Sequence, residues 1–110
     1  MKAVFIELPF FEKYRKEYLS DDEYLMLQNE LLVAPEKGDL IQGTGGLRKL
    51  RIANSKRNRG KRGGARVIYY YYVRNAAIYF LTAYGKEMKE DLTADEKSIL
   101  AKIVENIKGK

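Results

Sequence analysis

Residues 43–86 read GTGGLRKLRIANSKRNRGKRGGARVIYYYYVRNAAIYFLTAYGK, and the fold is decided within them. Leu47–Ala53 alternates as a strand does. Leu47, Lys49, Arg51 and Ala53 point one way, and Arg48, Leu50 and Ile52 the other, with Leu50 and Ile52 taken as the core side. Lys49 and Arg51 therefore project from one face, about 6–7 Å apart along the strand. Ala65–Val73 and Ala76–Ala83 are dominated by tyrosine and β-branched residues, and Arg74-Asn75 between them suits a two-residue turn. The nearly continuous apolar run VIYYYYV predicts a central strand covered on both faces. Its four tyrosines must alternate sides, so they read as core with hydroxyls at the rim and not as one stacking platform.

Charge is distributed as unevenly as hydropathy. The 47 residues from Leu40 to Lys86 hold eleven Lys or Arg and no Asp or Glu, a formal charge of +11. The remainder of the chain carries −5, which gives the net +6. Such a block laid on a β-hairpin is a surface for phosphate backbones. Asn54–Gly64, NSKRNRGKRGG, is the hairpin loop, with no apolar residue to anchor it.

Outward from this block, the N-terminal half reads as a strand followed by two helices. Ala3–Ile6 is a short β-branched and aromatic run, and Pro9 suits a helical first turn. Phe10, Phe11, Tyr14 and Tyr18 recur at helical spacing. Ser20 with Glu23 is a capping box for a second helix bearing Tyr24, Leu27 and Leu31, which Pro35 and Gly38 terminate. Pro35–Gly46 reads as a Gly-rich turn that matches neither a P-loop nor a dinucleotide fingerprint. Beyond the acidic patch EMKED, Thr93 and Glu96 form another capping box. They open a helix with Ile99, Leu100, Ile103, Val104 and Ile107 at helical spacing. The order β-α-α-β-β-β-α predicts an α+β domain spanning 1–110: a small antiparallel sheet, two N-terminal helices packed on it and a C-terminal helix.

Composition excludes several chemistries. With no cysteine there is no disulfide framework, iron–sulfur cluster or thiolate zinc site. With no histidine, the commonest acid–base residue and transition-metal ligand is missing. No cofactor or metal is expected. No apolar run approaches the ~18–20 residues of a membrane span, and the N-terminus lacks a signal-peptide cleavage pattern, so the expected compartment is the cytoplasm.

Polyanion binding needs only charge and reach, whereas cutting a phosphodiester needs more. A hydroxyl must be deprotonated, charge on phosphorus stabilised and the leaving oxygen assisted. Lys, Arg and Tyr are the available groups. RNA suits them better than DNA, because its 2′-hydroxyl supplies the nucleophile.

The run GTGGLRKLRIA, the basic loop, KRGGARVIYYYY and LTAYGK, with FEKYRKEYLSDDEY and GDLIQGTGG before them, resemble the RelE/HigB-type toxins of bacterial toxin–antitoxin modules. The likeness is strongest to the HigB branch and covers nearly the whole chain. It implies a RelE-like fold and a ribosome-dependent endoribonuclease that enters the A site of the 70S ribosome and cuts translated mRNA by 2′-hydroxyl attack. The implied partner is a HigA-like helix-turn-helix antitoxin, through which alone the toxin would engage operator DNA.

Carried over by position, the catalytic residues fall on Lys49, Arg51, Arg66 and Lys86. Arg66 is expected to stabilise transition-state charge, and Lys49 or Arg51 to move protons and hold phosphate. Arg48, Lys56, Arg57, Arg59, Lys61 and Arg62 fall to RNA backbone contact. The C-terminal tyrosine that stacks on mRNA in some relatives has no match, and Tyr84 is the candidate substitute. Where some relatives have arginine after the GK pair, this chain has Glu87. Two alternatives stand beside the nuclease: a ParE-like gyrase inhibitor, which would generally lack the Lys49–Arg51–Arg66 constellation, and a non-catalytic RNA- or ribosome-binding protein.

Overall fold

The computed structural model describes residues 2–52, 64–85 and 91–109. The elements in chain order are β1 (Val4–Glu7), α1 (Pro9–Tyr18), α2 (Asp21–Val33), β2 (Asp39–Leu40), β3 (Leu47–Ile52), β4 (Ala65–Tyr72), β5 (Ala77–Gly85) and α3 (Ala94–Lys108). The strands form one sheet in the order β1-β5-β4-β3-β2. Among the described residues no helix is long and apolar enough to cross a membrane.

The α+β class, the two N-terminal helices and the C-terminal helix are as expected, but the sheet is mixed, not purely antiparallel. β1 runs parallel to β5, pairing Val4 with Ala77 through Glu7 with Phe80. Alternation within a four-residue strand cannot reveal a partner some seventy residues away, and this is why the edge was missed. The connector expected to be a turn also contributes β2, which pairs Asp39 with Lys49 and Leu40 with Arg48.

Both helix starts are built as their sequences require. Ser20 Oγ accepts the Glu23 amide at 3.1 Å while Glu23 Oε1 accepts the Ser20 amide at 2.8 Å. Thr93 and Glu96 repeat this at α3, at 3.1 and 2.9 Å. Each box satisfies amides that a helix start leaves unpaired.

The sheet is covered on both sides by two separate cores. Phe11, Tyr18, Tyr24, Leu27 and Leu31 of α1 and α2 pack on Leu50, Val67, Tyr69, Ile78 and Phe80. Leu100, Val104 and Ile107 of α3 pack on Leu47, Ile68, Tyr70, Tyr72 and Tyr79. β3 therefore sends one buried leucine to each side, Leu47 under α3 and Leu50 under α1 and α2, where one core face was expected.

The tyrosine run is core, as its alternation predicted. The buried Tyr69 hydroxyl donates to Pro35 O at 2.8 Å and accepts from the Gly38 amide at 2.9 Å, stitching the connector to β4. Position 38 needs glycine for this approach: a Cβ there would lie 2.8 Å from the Tyr69 ring. β4 and β5 are joined by a 3-10 turn over Val73–Asn75, with Ala76 left-handed at φ 48°, a longer connection than the two-residue turn expected.

Candidate phosphate-binding face

Arg51, Arg66 and Tyr84 are cross-strand neighbours on β3, β4 and β5. Directly opposed residues share a face, so the three side chains form one row across the sheet, on the side where α3 packs. That row depends on a bulge. Ile68 pairs with Thr82 but Tyr69 pairs with Phe80, so Leu81 is an extra residue on β5. Strict alternation from Phe80 would have turned Tyr84 to the opposite face. One inserted residue brings it beside Arg66, a re-aiming that bulges commonly perform near functional sites.

Arg66 is only 1% exposed, and its Nη1 donates to Gly64 O at 2.8 Å. Arg51 opposite it is exposed. Two cations thus stand directly opposed on neighbouring strands, an arrangement that a nearby negative charge relieves. Tyr84 is 3% exposed. Burial, and then the Asp91 charge, push its phenol up to about 12, while Arg66 and Arg51 pull the other way. The hydroxyl is therefore protonated at neutral pH. Tyr84 belongs to the buried cluster that includes Leu92 and Leu100.

Lys49 lies two residues along β3 from Arg51, on the same face, with its side chain 14% exposed. Its Nζ donates to Asp91 Oδ1 at 2.6 Å, just ahead of the Thr93 cap. That hydrogen bond, and then the Lys49 charge, hold the Asp91 carboxyl below its usual range, aided by Lys97 and Arg51. Asp39, Gln42, Lys49, Tyr84, Asp91 and Lys97 line a common cleft of about 280 Å³. Asp91 and Lys97 had no strong signal in the sequence: one sits in an acidic patch, the other on the polar side of a helix.

Arg48 belongs elsewhere. Its Nη1 donates to Gly38 O at 2.8 Å and Glu36 O at 3.1 Å, and its Nη2 lies 3.3 Å from Glu36 Oε2. It clamps the connector to β3 on the face opposite Lys49. Lys56, Arg57, Arg59, Lys61, Arg62 and Lys86 lie outside the described residues.

A mixed sheet with two helices on one face and a third on the other defines a small α+β class, and solved structures share it. The chain is similar to an arginine-to-alanine double mutant of the E. coli toxin RelE in the free state. The TM-score is 0.55 at 17% identity, covering 82% of this chain and 90% of that one. It is similar also to the intact E. coli RelBE toxin–antitoxin complex, with a TM-score of 0.54 at 13% identity, covering 74% and 94%. At such identities the likeness shows the fold. The profile of the RelE toxin of the RelE/RelB toxin–antitoxin system matches residues 2–109, and the chain belongs to that family.

Proposed function

We propose that this toxin is a ribosome-dependent mRNA interferase. It cuts mRNA in the A site by attack of a 2′-hydroxyl on the adjacent phosphate, and its HigB-like sequence pattern fits that activity. The observation that carries the reading is the Arg51–Arg66–Tyr84 row, with Lys49 beside it. Arg66 is the transition-state residue: buried and held by Gly64 O, its guanidinium is fixed before substrate arrives, as charge stabilisation requires. Arg51 and Lys49 hold the phosphate from the exposed side of the row. The Tyr84 hydroxyl, protonated at neutral pH, donates a hydrogen bond or a proton and does not serve as the base.

The partner is a cognate antitoxin, as the similar RelBE complex contains one; a helix-turn-helix type fits the HigB-like pattern. Operator DNA is reached only through that complex. The deciding experiment is induction in bacteria with primer-extension mapping of mRNA ends. New ends inside translated frames that vanish in Arg66→Ala support the nuclease, and growth arrest with intact mRNA refutes it.

A further inference from the structure

We infer that Asp91 is a built-in occupant of the RNA phosphate seat, a carboxylate that must be displaced before Lys49 can take a phosphodiester. The inference rests on the nuclease reading only for the identity of the ligand. The geometry is independent of it. Lys49 Nζ holds Asp91 Oδ1 at 2.6 Å. Lys97, one turn into α3, lines the same cleft, and the Lys97 and Arg51 charges also act on the Asp91 carboxylate. Lys49 thus holds one oxyanion directly while two further cations act on it by charge, and none of the three strands of the row supplies an acid of its own. A phosphodiester oxygen presents the same charge and the same acceptor geometry to Lys49.

The contact is suited to being displaced. The Asp91 side chain is 68% exposed, so it can rotate into water. Its neighbours Leu92, which is buried, and Thr93, which caps α3, keep their places when it does so. Exposed ion pairs are weak enough that exchange costs only a few-fold in binding. Lys97 is the further cation lining the same cleft, on an element to which the sequence assigned no contact.

Counterion release makes the idea measurable. In the free protein Asp91 already cancels the Lys49 charge, so the seat neutralises one phosphate fewer and releases fewer of the cations condensed on the RNA. With Asp91→Asn, Lys49 neutralises a phosphate outright, and each phosphate neutralised adds about 0.7 to the salt slope on single strands. The test titrates a fully 2′-O-methylated single-stranded RNA, which cannot be cut, into wild type, Asp91→Asn, Lys49→Met and the double variant across a salt series. Thermal melts confirm that each is folded.

Asp91→Asn is expected to bind about three- to tenfold tighter at low salt, with a slope steeper by about 0.7, and the gain should vanish on Lys49→Met. Unchanged affinity and slope in Asp91→Asn would overturn the proposal. So would a gain that persists in full without Lys49, which would mark a general charge effect. Because the oligonucleotide is uncleavable, loss of the nuclease reading would appear separately, as absent mRNA cleavage with this binding pattern intact.

Discussion

Arg66 on β4 and Tyr84 on β5 stand directly opposite each other across an antiparallel pair, both almost wholly buried, and they do so only because Leu81 is bulged out of register. The bulge fixes a cation and a protonated phenol on one face of a rigid sheet. Rotamers held by neighbouring strands suit a reaction that cannot wait for its groups to reorganise.

Arg66→Ala is expected to lower mRNA cleavage on ribosomes by about 100- to 1,000-fold, the range for losing one transition-state donor. Arg66→Lys should recover only part, because an ammonium lacks the planar fork. Cleavage assays paired with thermal melts check this. Wild-type rates in a folded Arg66→Ala protein would remove Arg66 from the chemistry.

Arg48→Ala should cost about 1–3 kcal/mol of stability through the lost bonds to Gly38 and Glu36 carbonyls. RNA affinity and its salt slope should stay close to wild type in the folded fraction. Urea melts alongside RNA titration separate the two effects, and a loss of RNA affinity without loss of stability would restore Arg48 to the binding set.

Tyr69→Phe removes the hydroxyl that joins the Pro35 carbonyl and the Gly38 amide, and should destabilise the protein by about 1–3 kcal/mol. Gly38→Ala should destabilise by a comparable ~1–3 kcal/mol, since its Cβ meets the Tyr69 ring. Denaturant midpoints measured at constant slope test both.

Alkaline pH should destabilise the fold by way of its tyrosines. A phenol raised in the folded state stabilises it fully below the unfolded value near 10, and that share is lost as pH rises through the folded value. For Tyr84 the window runs from 10 to about 12. Tyr24, Tyr69 and Tyr70 are raised in the same direction, chiefly by burial. Melting temperature followed across that range should fall less steeply in Tyr84→Phe. The same variant should slow cleavage without shifting its pH dependence around neutrality, where the phenol stays protonated.

Periodicity carried the sequence reading as far as local pattern reaches. The capping boxes at Ser20 and Thr93, the two-sided burial of β4 and the shared face of Lys49 and Arg51 all follow from spacing within a few residues. What was not legible depends on distant pairing. The parallel β1–β5 edge, the Leu47 core beneath α3 and the Lys49–Asp91 contact each join segments that no local periodicity links. The grip of Arg48 on the connector was not legible either, because charge in a basic run looks alike on both faces. Only the connector's carbonyls, brought near by β2, distinguish its job from that of Lys49. The bulge at Leu81 had no signal at all, since an inserted residue in an apolar strand is still apolar.

The parallel edge also dictates an order of assembly during synthesis. Among the described residues β5 is the one strand that pairs with β1, so β1 waits, unpaired, until Ala77 and the residues after it have been added. Arg66 likewise waits for Tyr84. A nascent chain emerging N-terminus first therefore cannot complete either its sheet or its basic row until most of it has left the tunnel. The sheet is thus unfinished until the ribosome has made β5.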